Sequence, residues 1–590
     1  MNPQKTAQSA IPAAAVVVAT ALLGFSTASA QTPPTPTQTF QPAGASGTFG
    51  TAGNWSPGLP GAGNDVLIAD GKTANGMTQT EANTLFGSLT LGVGSTLNLA
   101  ASNTAGLASS SVLYFNNGSQ LNYTSGGTNR ANTYNIVSGA TVGMHLGQVG
   151  GDSLPQGTMV GGSNTVVNMT TAITLNMRLN ASSFNGTLNF KTNAASSARA
   201  VNFGNASNSF GSGIANIDTF VRVTGSKSNW MNDSGTLQLT GSSGGASNVK
   251  FDMGGSTDTI GNFVIDSPIG ATASAPTLRG SAAAFTVTGT TTFQGTAGAV
   301  NFDSSNGTPS SHNLLTTGNM TFGGTGTWAL SGDGRIRLNA ASGTRTITTN
   351  TDASIANVIT GSQGFTKAGV STLTLSGNNT YTGDTNVNEG VLAVNGSLAN
   401  TATTVESLTS ARLQGAGLIA GSVTIGDKGT LAAGNSIESL GGGDLGLNDG
   451  SIFEQEIRNA APTDGADLFY SSGMLSLSGT VTLDLVNITD AYAWMPGDKI
   501  TLISYTGTPS LSSKFSYAPA PGGDLDEGET FDYDGAQWVF RYQDATPGGN
   551  YQSDALLAGT NFVTMTVVPE AGTTGLLALG LLLLRRLRHR

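Results

Sequence analysis

The sequence predicts an all-β chain wound as a parallel β-helix, and three observations carry that expectation. Short runs alternate apolar and polar residues with period two: Ser88-Leu89-Thr90-Leu91, Thr96-Leu97-Asn98-Leu99, Thr236-Leu237-Gln238-Leu239 and Thr372-Leu373-Thr374-Leu375. Glycine, asparagine or serine lies close to each run, and helical periodicity is nearly absent between the two ends of the chain. The runs also recur. Thr372, Val391, Ala411 and Thr430 open four of them at separations of 19, 20 and 19 residues, and Val387, Val405 and Val423 repeat every 18. Two strand series advancing together describe stacked coils that feed separate sheets. A looser echo comes early: Leu97, Leu121 and Val142 follow Gly-Ser-Thr, Gly-Ser-Gln and Gly-Ala-Thr, at steps of 24 and 21. An antiparallel sandwich array would show the same alternation.

The elements follow in order. Residues 1–30 form a secretory signal peptide: Lys5, an apolar stretch from Ile11 to Phe25, and the small-residue site Ala28-Ser29-Ala30. Signal peptidase would cut after Ala30 and leave Gln31 as the mature terminus. Residues 31–48 begin with Thr32-Pro33-Pro34-Thr35-Pro36-Thr37, an extended linker. Residues 49–440 are the solenoid. A single coil cannot bury its own Leu, Val and Ile, so stacking supplies the core, and the two ends need caps. Residues 441–566 hold denser aromatics and longer strands, and read as final coils and a β-cap. Within them, Asp526 to Gly535 reads as a hairpin.

Residues 567–590 form a tripartite tail. Val567-Val568-Pro569-Glu570-Ala571 leads into an apolar run, Gly572 to Leu584, and ends in the basic stop of Arg585, Arg586, Arg588 and Arg590. Thirteen helical residues span roughly 20 Å, short of the ~30 Å bilayer core. This short transmembrane helix suits a temporary halt, with its arginines on the cytoplasmic side.

Composition narrows function. The chain has 590 residues, 83 glycines, 10% charged residues, a net charge of −11 and no cysteine. That excludes disulfides, thiolate metal sites and cysteine nucleophiles. With only 24 Lys and Arg and no basic cluster before the tail, nucleic-acid binding is not expected. The histidines, His145, His312 and His589, lie far apart, and no phosphate-loop or nucleophile-elbow motif is present. The acidic run Asp524, Asp526, Glu527, Glu529, Asp532 and Asp534 has oxygens enough for calcium but lacks the EF-hand order. Asp252, Asp258 and Asp266, with Lys250, are scattered for a polysaccharide lyase. No catalytic residue, cofactor or metal site is expected.

Two resemblances add to this reading. The tail, with sorting motif Val568, Pro569, Glu570 and Ala571, resembles the PEP-CTERM signal of bacterial exported proteins; Ala571 stands where that pattern has a second proline. The resemblance implies an exosortase-type sorting protease, transient inner-membrane anchoring, and delivery to the cell surface or matrix. Phe365-Thr366-Lys367-Ala368-Gly369, Thr372 to Gly383 and Val387-Asn388-Glu389-Gly390-Val391-Leu392 resemble the autotransporter-associated β-strand repeat, over 364–440. That implies a right-handed parallel β-helix in passenger-like surface proteins. Gly53-Asn54-Trp55-Ser56 resembles their opening segment. The expected function is a structural surface or extracellular-matrix protein associated with extracellular polysaccharide. A specific adhesin, or a β-helix polysaccharide lyase or hydrolase, is the alternative.

Overall fold

The computed structural model describes residues 31–569 except 78–85, 100–111, 124–131, 147–155, 172–174, 193–199, 204–208, 219, 224–229, 241–249, 254–256, 267–276, 281–284, 297, 305–312, 339–343, 400, 407–410, 435–436, 459–464, 489–492, 521–522 and 549–558. Among these residues the chain is a parallel β-solenoid. A first face stacks twenty strands, from Ser46–Thr48 to Ser510–Leu511. Its inward column runs through Leu97, Leu121, Met144, Met169, Phe190, Ile217 and Leu239, each opposite the next. All of them are buried. A second face begins at Gln38–Phe40 and ends at Phe515–Ser516. Its column includes Leu373, Leu392, Leu413, Leu431 and Phe453. Because side chains alternate along a strand, in-register stacking carries each apolar residue onto the one below and builds one continuous core.

The recurrences in the sequence map onto these ladders with small offsets. Thr372 lies opposite Val391, but Ala411 lies opposite Gly390. Val387 lies opposite Val405, whereas Val423 lies opposite Thr403. Leu121 lies opposite Met144 rather than Val142. The offsets of two at Val423 and Met144 keep the inward face, whereas the offset of one at Ala411 puts that residue inside where Val391 is only half-buried; the corner length before each strand sets them. The early Gly-Ser or Gly-Ala echo marks those corners. Gly94, Gly118 and Gly139 have φ of 63°, 74° and 75°, the left-handed region open to glycine.

The cross-section changes along the axis. The first turns alternate between two faces. The ten-residue strand Leu175–Phe184 then splits its pairing: Leu175–Met177 meets Val201–Phe203, and Asn180–Ala181 meets Ser209–Phe210. The first branch continues the second face. The other passes through the Phe210–Met231 bridge toward a third face, from Asp258–Ile260 to Ile359–Thr360. Three strands per turn also explain the irregular strand spacing between Ser182 and Asn350.

Where three faces meet, one corner narrows. Gly213, Gly235, Gly261, Gly289 and Gly318 each precede a first-face strand, and a Cβ on Gly289 would lie 2.6 Å from the Gly261 carbonyl oxygen. Gly289→Ala is therefore expected to lower stability by about 1–3 kcal/mol. Gly53→Ala, at a position with open space around it, should be near neutral; denaturant titration of both variants checks this.

Both ends are capped. At the start, Trp55–Ser56 runs antiparallel to Gln38–Phe40, and the Trp55 indole donates to the Phe49 carbonyl at 2.5 Å. Phe40 and Phe49 pack on the Trp55 ring, with centroids at 5.1 and 4.8 Å. The opening segment is thus an end cap. At the other end, Lys499–Tyr505, Asn561–Val567, Ala536–Asp544 and Thr530–Tyr533 form an antiparallel run. Asp534 and Gly535, both at positive φ, turn the hairpin expected there. No helix among the described residues is long and apolar enough to cross a membrane. The proposed tail helix, Gly572 to Leu584, lies outside the described residues.

Candidate functional site

The outward surface of the first face is the most extensive candidate. Strand alternation places amides and hydroxyls outside while Leu, Met and Phe point inward. Asn98 donates to Asn75 at 2.6 Å, and Asn122 donates to Asn98 at 2.7 Å. Farther along, Asn189 donates to Asn168 at 2.8 Å and Asn216 to Asn189 at 3.0 Å, and Thr240 donates to Asn216. Beyond Gln238 and Val264, the Asn216 row continues in Thr292, Thr321 and Thr348. Each ladder is fixed by parallel register, so its polar groups form a preset array.

The repeat-like stretch is built from a different chemistry. Lys367 is fully buried, and its Nζ donates to the carbonyls of Ala368, Gly369 and Glu389 at 3.1, 2.6 and 2.8 Å. The Glu389 carboxylate accepts from the Gly369 N–H at 2.9 Å. Burial pushes the Lys367 ammonium down to about 8, with Glu389 and Asp352 opposing. Asn379 accepts from Ile359 N–H and donates to the Gly377 carbonyl. The Tyr381 and Thr385 hydroxyls bond at 2.6 Å. These motif residues tie corner carbonyls and amides into the core, where each unpaired group would be costly.

Two buried carboxyls sit elsewhere. Asp258 accepts from the Met231 and Thr259 N–H groups at the start of the third face. Asp467 accepts from the N–H groups of Glu438 and Glu456. Burial raises them to about 7 and about 8, against the pull of those hydrogen bonds. A carboxyl raised in the folded state gives its full stability below the unfolded value near 4 and loses it as pH climbs through the folded value. Melting temperature should therefore fall between about pH 4 and pH 8. Asp258→Asn combined with Asp467→Asn should flatten that slope, measured by thermal unfolding across the range.

The remaining sequence candidates separate. Asp258 lies on the third face, while Asp266 lies on the first, accepting from Gln238 and Gln294 at 3.1 Å each. Lys250 and Asp252 fall on the second face. His145 bonds the Thr170 hydroxyl at 2.8 Å; His312 and His589 lie outside the described residues. Trp55, Trp230 and Trp328, whose rings could otherwise stack on sugars, are core residues. In the acidic run, Asp526 pairs with Lys514, Glu527 accepts from Tyr542 N–H, and Asp534 accepts from Asn487 and Trp494. Among the described residues no three His, Asp or Glu side chains gather to hold a metal. Of the sorting motif, Val568 donates its N–H to the Gln537 carbonyl at 2.9 Å, and Pro569 is exposed. Glu570, Ala571, the four arginines and the cleavage residues Ala28 and Ala30 lie outside the described residues.

Comparison with known proteins places this geometry. Residues 365–394 match the passenger-associated-transport-repeat family, inside the repeat-like stretch. The chain is 33% identical over 166 residues to an extracellular serine protease of Serratia marcescens, covering 28% of this chain and 15% of that protein. It is 37% identical over 181 residues to the adhesin BmaC autotransporter of Brucella suis, covering 30% of this chain and 5% of that protein. A second extracellular serine protease of Serratia marcescens is 44% identical over 70 residues. The chain thus spans at most 15% of the length of these curated relatives.

Proposed function

We propose that this chain is an exported structural protein of the cell surface or extracellular matrix, whose solenoid faces contact extracellular polysaccharide. The observation that carries the reading is the capped parallel solenoid with a preset outward array of amides and hydroxyls. Such groups can exchange hydrogen bonds with sugar hydroxyls at little ordering cost, since their own geometry is already fixed. The repeat match at 365–394 supports a passenger-like role. Export would begin with signal peptidase at Ala30 and end with an exosortase-type protease at Val568 to Ala571, after a pause in the inner membrane. The exposure of Pro569 directly beyond the last cap strand supports such processing.

A specific adhesin is the second reading, favoured by the similarity to the BmaC adhesin. Co-sedimentation of the purified chain with extracellular polysaccharide from its host separates these readings. A structural protein should pellet with the polymer and release no reducing ends. Release of reducing ends would make it an enzyme. Failure to pellet, with saturable binding to a host protein or cell, would make it an adhesin.

A further inference from the structure

The two amide ladders of the first face do not lie in one row. Asn98 and Asn122 share a row whose next members are His145 and Thr170. Asn168, Asn189 and Asn216 share the neighbouring row, whose previous members are Gly143 and Gln120. The polar ridge therefore steps sideways at the strand Thr141–Leu146. At the step, Gly143 has no side chain where the row would otherwise continue. A recess of about 500 Å³ opens there, walled by Gln120, Asn122, Thr141, His145, Asn168 and Thr170.

That volume lies within the roughly 300–1,000 Å³ of small-ligand sites. Among the described residues its outward walls carry amides, hydroxyls and an imidazole, but no carboxylate, ammonium or guanidinium. Amides offer donor and acceptor together, and hydroxyls offer both on one atom. Neighbouring walls repeat at the strand spacing of about 4.8 Å. This chemistry suits a neutral ligand dense in hydroxyls. We propose that the recess at Gly143 is a binding subsite for a neutral oligosaccharide, with Asn122 and Asn168 at its two ends and Gly143 as its floor. The inference rests on the reading of the first face as a polysaccharide-contacting surface and names one place where contact is specific.

Gly143→Asn is the deciding variant, because it would fill the floor and join Gln120 to Asn168 as a continuous row. The position tolerates it: the nearest atoms to a Cβ there belong to the flexible Gln120 side chain, at 3.4 Å and beyond. Calorimetric titration of the full chain would use maltotetraose, cellotetraose and a tetramer of N-acetylglucosamine. The expected result is saturable binding to at least one, weakened tenfold or more by Gly143→Asn. Asn168→Ala should weaken it similarly, and Thr530→Ala, exposed in the hairpin of the C-terminal cap, should leave it unchanged. Binding of none of the three, or binding indifferent to both Gly143→Asn and Asn168→Ala, would overturn the subsite. The general surface reading would still stand if the polymer co-sedimented. Oligosaccharide binding without polymer co-sedimentation would keep the subsite and remove the general reading.

Discussion

Lys367→Ala is expected to destabilise the solenoid by about 3–5 kcal/mol, as removal of one partner from a buried charged network does. The ammonium is fully buried and meets three carbonyls that belong to two successive turns. Its loss leaves those oxygens without their donor and opens a cavity along the stem. The Glu389 carboxylate, which faces Gly369 N–H, would also lose its nearby positive charge. Lys367→Met bares the same carbonyls but keeps most of the stem volume, so its cost should be smaller than that of Lys367→Ala by the cavity contribution. Urea unfolding of the two variants orders these effects. Equal stability of wild type and Lys367→Ala would mean that the corner is held by the ladder alone.

Trp538→Ala should cost about 3–5 kcal/mol and should also change the state of association. Trp538 is fully buried in the C-terminal cap, donates to the Tyr533 carbonyl at 3.0 Å, and meets the Trp494 ring edge-on at 4.9 Å. Nearby, the Tyr542 hydroxyl accepts from Phe515 N–H and donates to the Leu525 carbonyl, locking the hairpin strand to the last turn. Strand Lys499–Tyr505 is sealed by the antiparallel strand Asn561–Val567. Loosening the cap bares an open sheet edge, a template for pairing with other chains. Light scattering should show concentration-dependent association of Trp538→Ala at temperatures where the wild type stays monodisperse.

Much of this fold was legible in the residues. The Thr-Leu-Thr-Leu runs lie on strands with leucine inside, as alternation requires. The Gly-Ser-Thr echo is a left-handed corner followed by a strand. Asp534-Gly535 is a hairpin turn by the same chemistry that marks it in sequence. Other features depend on register, which alternation leaves open by two residues at a time. The branching of Leu175–Phe184 into two ladders has no local signature, since its strand pattern would serve either face. The recess exists only because Asn122 and Asn168 fall in adjacent rows, a result of the corner lengths between them. The burial of Lys367, Asp258 and Asp467 leaves no mark in the sequence and follows only once the turn above is placed over them. Lys367 lies within the repeat motif, and that position was the available signal.

The most direct test of a sorted surface solenoid is the mature form of the native protein: intact mass and terminal peptide mapping from each cell fraction. The expected result is a chain beginning at Gln31 and ending near Glu570, recovered from the cell surface or medium. An intact chain through Arg590 in the inner-membrane fraction would contradict sorting at this motif, and a cytoplasmic chain beginning at Met1 would contradict export altogether.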